Sequence, residues 1–320
     1  MTDERAGQAP TIGIYSPSGS FSDAPDKVEL FDKGVARLRA DGFAVVESKH
    51  CRGSWFHASA SPTDRVSDLY ELCSDPAVDA IIPSIGGHVA SQLLHHIDFE
   101  RVSAGGTKLF GFSDSSIIPL ITTERTGLVT YHAACDATFG FGRFAEGGFE
   151  IAERTFIAAV NDDPLDLTGR GGWRPVQTGT GSGTLLGGNL KGLASLAGTP
   201  WWPDWSGKIM FWESMDPLHA VAQNLTQLSN AGAFADLAAM IVGRVDTLGD
   251  PFYGVDKVVP IDRFLLDVLG LRGRFPIISN ADIGHNVDNV TWPLGKTAVV
   301  DVTDSTATCR LTGWKRLSRE

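Results

Sequence analysis

Cysteine is scarce in this 320-residue chain: Cys51, Cys73, Cys135 and Cys309 lie far apart, and no CxxC occurs. That excludes a disulfide framework and zinc-type ligand spacing, and it fits reduced core thiols of a cytoplasmic protein. Long apolar runs are missing too, none approaching the roughly 20 residues that span a bilayer. The opening MTDERAGQAP is polar and acidic where a signal peptide is basic and then apolar. A soluble intracellular protein with no membrane partner is expected. Positive charge is in deficit, 27 Lys and Arg against 38 Asp and Glu, for a formal charge of −11. Phosphate backbones need a basic face, so a nucleic-acid polymer is a poor partner. A nucleotide-sized ligand stays admissible, because one site can be locally basic or aromatic. No G-x-G-x-x-G follows the first apolar segment, and the loop Ser16-Pro-Ser-Gly-Ser20 has no P-loop lysine. A dinucleotide oxidoreductase is therefore disfavoured.

What is present is ordinary globular material, 42% hydrophobic and 20% charged. The length favours two domains. From Thr11, short apolar strands alternate with helical periodicity. Ile12 to Tyr15 reads as a strand; Val28, Phe31, Val35 and Leu38 mark one helix face before Gly42. Phe43 to Val46 is the next strand. Ser61-Pro62-Thr63-Asp64 is a helix start, with a Ser cap and proline in the first turn, and Val66, Leu69 and Leu72 facing inward. Strand Val78 to Ile82, a helix from about Val89, and strand Leu109 to Phe112 leading into another helix continue the pattern. Such alternation implies right-handed βαβ units and a parallel sheet, with ligands beyond the carboxyl ends of the strands. The expected fold class is α/β, an N-terminal Rossmann/flavodoxin-like parallel-sheet domain and a smaller, strand-rich C-terminal α/β domain.

The expected divisions are a loose tail at 1–10, an N-terminal domain at 11–160, a Gly-rich linker at 161–183 and a C-terminal domain at 184–320. Within the last, Ile209 to Trp212, Met240 to Val245, Pro276 to Ser279 and Ala307 to Trp314 read as strands. Helices are expected after Gly187-Gly-Asn-Leu190, through Leu218, Val221, Leu225 and Leu228, and near 261–269.

Three loops carry candidate chemistry. Ser113 stands between an apolar strand and a helix start, where a sharp turn presents a hydroxyl and free amides favour an oxyanion. It departs from G-x-S-x-G, because Ser115 takes the place of the second glycine. The plain alternative is that Ser113, Asp114 or Ser115 only caps the helix. Gly86 and Gly87 let the backbone approach a ligand closely, or else form a tight turn. A serine nucleophile needs a base. Of eight histidines, His285 is the best placed, in a polar loop after a strand, although a lone histidine is more often structural or solvated. Glu213 ends an apolar strand and could orient that histidine or form a surface ion pair.

Taken in order, Thr11-Ile-Gly-Ile-Tyr-Ser-Pro-Ser18, Ser84-Ile-Gly-Gly87, Gly111-Phe-Ser-Asp114, Gly187-Gly-Asn-Leu190, Ile209-Met-Phe-Trp-Glu213 and Gly284-His285 with Asn289-Val-Thr-Trp-Pro-Leu-Gly295 resemble the LD-carboxypeptidase family of serine peptidases. The resemblance implies Ser113 as nucleophile, Glu213 and His285 as its partners, and the amides of Gly87 and Asp114 as an oxyanion hole. It places the site between the two domains, implies no metal or cofactor, and implies a homodimer. One branch of the family cleaves murein L,D-peptides; the other cleaves peptidyl or aminoacyl nucleotides of the microcin C type. Gly86, His88 and Trp173 are candidate substrate contacts, Trp173 by stacking on a base or else as an aromatic pinning the linker. Trp55 and Phe56 form a second candidate wall. A non-catalytic peptide- or nucleotide-binding protein on the same cleft is the alternative function.

Overall fold

A computed structural model describes residues 9–22, 24–142, 148–169, 171–245 and 260–313. Most of the 1–10 tail and Trp314 lie outside these.

Strands β1 (Thr11–Tyr15), β2 (Ala44–Glu47), β3 (Ala80–Pro83), β4 (Lys108–Gly111) and β5 (Thr130–His132) are parallel neighbours. Between and after them run helices α1 (Pro25–Ala40), α2 (Pro62–Ser74), α3 (Phe99–Ser103), α4 (Ile117–Thr126), α5 (Asp136–Phe141) and α6 (Glu150–Val160). In α1, Phe31, Val35 and Leu38 are buried as their spacing requires, but Val28 is exposed. Its turn reaches the rim of a cleft, where Lys27 lies, and finds no core to pack on. The Ser61 cap forms, its hydroxyl accepting from the Asp64 amide at 3.2 Å. The helix expected from Val89 is only a 3-10 turn, Ala90–Leu93. Its first amide is bound by the Asp114 carboxylate, and α3 starts anew on an Asp98 cap.

The second sheet consists of β6 (Arg174–Gln177), β7 (Gly179–Asn189), β8 (Lys208–Ser214), β9 (Ala239–Val245), β10 (Ile277–Ala281), β12 (Thr297–Val302) and β13 (Ala307–Leu311). Its order is β13-β12-β7-β8-β9-β10-β6, with β7 to β10 parallel. Helices α7 (Leu190–Ser195) and α8 (Leu218–Asn230) follow β7 and β8; residues 261–268 form a short helix with a π-type end.

The stretch 161–183, read from its glycines as a linker, contains β6 and the first part of β7. Those glycines serve sheet packing: a Cβ on Gly181 would stand 2.0 Å from the Ala238 carbonyl oxygen, and one on Gly183 2.1 Å from that of Gly207. Strand β11 (Trp292–Leu294) leaves the C-terminal half and pairs antiparallel with β5, so the first sheet has the order β11-β5-β4-β3-β1-β2. One continuous apolar core includes Leu109 and Ile117 from the first half and Leu190, Trp212 and Trp292 from the second.

Candidate active site

Strand β4 ends at Gly111, Phe112 is still extended, and Ser113 turns the chain with φ of 55°. A left-handed non-glycine residue is strained and persists only where its surroundings hold it. Ser115 does the holding: its hydroxyl donates to the Phe112 carbonyl at 2.7 Å and accepts from the Phe112 amide at 3.1 Å. The capping role therefore falls to Ser115, and Ser113 lines the cleft. Gly86 lies directly against it; a Cβ there would meet both Cβ and Oγ of Ser113 at 2.8 Å.

The opposite wall is built from the second sheet. Glu213, fully buried in β8, accepts from Asn189 Nδ2 through Oε1 at 2.9 Å and holds His285 Nδ1 through Oε2 at 2.7 Å. Burial alone would raise the Glu213 pKa. The charge and hydrogen bond of His285, with help from His132 and Asn189, outweigh burial and keep it below the usual range. Gly284, at φ 137°, holds a backbone conformation that side chains rarely adopt, and a Cβ there would stand 3.2 Å from the Arg244 carbonyl oxygen. The His285 ring packs on Phe112, centroids 4.5 Å apart. Asn189 also donates its amide to Ser116 Oγ at 3.1 Å, which joins the acid's support to the serine's own turn.

Asn189 and His132 carry roles that residue type alone did not single out. Asn189 stands within the quoted Gly-Gly-Asn-Leu motif; His132 has no local signal. His132 ends β5, buried with neither ring nitrogen hydrogen-bonded, near Phe112 and Phe211. Burial drives its pKa down to about 4, so it is neutral beside the Glu213–His285 pair.

Asp114 fixes the remaining loops. Its Oδ2 accepts from the Ser18 hydroxyl at 2.6 Å and the Ala90 amide at 2.8 Å. Ser18 Oγ in turn accepts from the Val89 amide at 3.1 Å, and the Gly19 amide donates to the Gly86 carbonyl at 3.0 Å. Gly87 (φ 155°) presses so closely on Ser18 that a Cβ would lie 2.4 Å from its Oγ. Gly86, Gly87, His88, Ser113 and His285 all line one cleft of about 860 Å³. His88 Nδ1 also lies 3.5 Å from Lys191 Nζ.

Trp173 does not join that lining. Its indole stacks on Trp292 at 5.9 Å and donates to Asp282 at 3.3 Å, which pins the start of β6 to the core. Trp55 and Phe56 form an exposed edge-to-face pair next to His57, which does line the cleft. Among the described residues no group of three His, Cys, Asp or Glu side chains is placed to hold a metal, and no helix is long and apolar enough to cross a membrane.

Comparison with known proteins matches residues 12–133 to the LD-carboxypeptidase N-terminal domain and 182–300 to the LD-carboxypeptidase C-terminal domain. The murein tetrapeptide carboxypeptidase of Pseudomonas aeruginosa is 24% identical, over 91% of this chain and 92% of its own. The microcin C7 self-immunity protein MccF of Escherichia coli is 25% identical, over 91% and 90%. A solved structure of MccF in complex with aspartyl sulfamoyl adenosine has the same fold, with a TM-score of 0.81 at 21% identity over 96% of this chain and 97% of that one. The chain belongs to the LD-carboxypeptidase family and is a serine-type carboxypeptidase.

Proposed function

We propose that Ser113, His285 and Glu213 form a catalytic triad that cleaves an amide bond in a small peptide or a peptidyl or aminoacyl nucleotide. The observation that carries this is the 2.7 Å bond from buried Glu213 to His285 Nδ1, with His285 and the strained Ser113 lining one cleft. With Nδ1 held, Nε2 is the nitrogen left to take the Ser113 proton as Oγ attacks the carbonyl carbon. The amides of Gly87 and Asp114 take the developing oxyanion, a role that suits their loops because the Asp114 carboxylate fixes both in place. His285 returns the proton to the departing amine nitrogen. Water, deprotonated by the same histidine, then attacks the acyl-Ser113 ester and releases the acid.

Both substrate branches suit the cleft, and the names of the relatives cover both. The protein would work in the cytoplasm, which its buried free thiols suit, and as a homodimer on the family resemblance. A non-catalytic binding role does not account for an acid, an imidazole and a strained hydroxyl brought to one place.

Mass spectrometry of two substrates with wild type and Ser113→Ala tests the reading. One is a murein L,D-tetrapeptide, the other an aminoacyl phosphoramidate of adenosine. Wild type is expected to release D-alanine from the first or the free amino acid from the second. Ser113→Ala should be slower by several orders of magnitude. A Ser113→Ala variant with near wild-type turnover would end the triad assignment.

A further inference from the structure

Arg65, in the first turns of α2, is only 1% exposed. A guanidinium taken out of water is costly unless it is paired, yet the side-chain bonds of Arg65 go to neutral groups. Nη1 donates to the Pro17 carbonyl at 2.6 Å and Nη2 to Gln92 Oε1 at 2.8 Å, while Nε has no hydrogen-bond partner. Burial pulls its pKa below the ordinary value, and the negative charge of Asp114 opposes that pull. Core packing alone would be served more cheaply by an apolar side chain.

Both partners of Arg65 lie on the loops that Asp114 holds. Pro17 precedes Ser18, whose hydroxyl donates to the Asp114 carboxylate. Gln92 stands in the 3-10 turn whose Ala90 amide donates to the same oxygen. Arg65 and Asp114 thus grip the loops after β1 and β3 at different points and with opposite charge. Gly86 and Gly87 run between these grips, and the Gly19 amide ties the two loops together through the Gly86 carbonyl. Arg65 does not line the cleft, so whatever it does for the reaction passes through these loops. Charge matters as well as grip. The Asp114 carboxylate belongs to the residue whose amide is assigned to the oxyanion, and a negative charge so near opposes the one that develops there. A buried cation facing Asp114 offsets it.

We propose that Arg65 is a positioning residue of the reaction: it holds the loop of Gly86 and Gly87 through Pro17 and Gln92, and its charge offsets Asp114 where the oxyanion forms. This rests on the proposed hydrolase reading for what the loop does.

Kinetics and amide hydrogen exchange of Arg65→Met, Arg65→Lys and Gln92→Ala test it, each variant first checked for folding by a thermal melt. Methionine keeps an unbranched stem but loses both grips and the charge; lysine keeps the charge and one grip. The substrate is whichever of the murein L,D-tetrapeptide and the aminoacyl phosphoramidate wild type cleaves. Arg65→Met should lower kcat by about a hundredfold while KM changes by less than about threefold. Arg65→Lys should regain about tenfold of that loss. In Arg65→Met the amides of Gly19, Val89 and Ala90 should exchange about tenfold faster relative to those of Leu109 and Phe110 in β4, which report global opening. Should Arg65→Met not fold, Gln92→Ala removes one grip from an exposed residue; it should loosen the Val89 and Ala90 amides and lower kcat about threefold. Unchanged kcat, a loss carried by KM, a lysine variant no better than methionine, or exchange that rises only in step with β4 would overturn the proposal. If wild type cleaves neither substrate, the hydrolase reading falls, and exchange alone then decides whether Arg65 holds the loop.

Discussion

Ser113 and Gly86 are in contact across two loops, and that contact makes the glycine a sensitive probe of the serine. Gly86 is not among the positive-φ glycines, so alanine is permitted there by its backbone. Only the added methyl matters, and it would fall 2.8 Å from Ser113 Cβ and Oγ. Real Cβ contacts are longer, so the hydroxyl must shift by several tenths of an ångström. Gly86→Ala should lower kcat by about a hundredfold, the usual consequence of misplacing a reacting group by this much. The melting temperature should move little, because the site faces a cleft and the methyl displaces no core. Steady-state kinetics beside a thermal melt check both; unchanged kcat would mean that the hydroxyl does not react from this position. Residue type and neighbours made Ser113, Gly86, Glu213 and His285 candidates beside plainer structural roles; it was the ordered family motifs, not spacing, that implied a triad. Neither could single out His132, because its importance lies in being buried near Glu213 and Phe112, which strand pairing alone creates.

At the scale of elements, Asp114 joins the loops after β1, β3 and β4. The carboxylate oxygen that binds Ser18 also binds the Ala90 amide, and Ser18 in turn holds Val89. Asp114→Ala leaves the backbone amide of residue 114 in place and removes only this clamp. Losing hydrogen bonds to a charged group should cost about 2 kcal/mol of stability, read by urea unfolding. kcat should fall about tenfold or more as the glycine loop loses its position. An Asp114→Ala enzyme with wild-type kcat would show that the glycine loop is positioned without the clamp. This clamp also explains why the strand–helix alternation was legible while the segment after Val89 was not. Helical periodicity there competes with a long-range bond to Ala90, and the bond prevails. The same limit applied at 161–183: a run of glycine and threonine reads as a flexible connection until the close passage of neighbouring backbones shows that only glycine fits.

For the whole molecule, the return of β11 to the first sheet ties the two halves together, and two buried ionisable groups of the first half, His132 and Asp136, make stability depend on pH. Asp136, at the start of α5, is buried with neither carboxyl oxygen hydrogen-bonded. Burial raises its pKa to about 8, only partly opposed by Arg52. Below about pH 4 the carboxyl is protonated in both folded and unfolded chains and costs nothing. As pH rises from about 4 to 8 the unfolded chain loses this proton and the folded one keeps it, so stability falls, by on the order of 5 kcal/mol across the window. His132 acts in the opposite sense. Its folded pKa of about 4 lies below the unfolded 6.5, so stability falls as pH drops through that range. The two oppose each other between about 4 and 6.5, and between 6.5 and 8 Asp136 acts without that opposition. Asp136→Asn should therefore flatten the loss of stability between pH 6.5 and 8, and steepen the rise from 4 to 6.5 that His132 produces. Urea unfolding at half-unit pH steps reads both slopes. Parallel curves for wild type and variant would mean that Asp136 ionises in the folded protein as it does in the unfolded chain, and that its burial is relieved by a partner or by water.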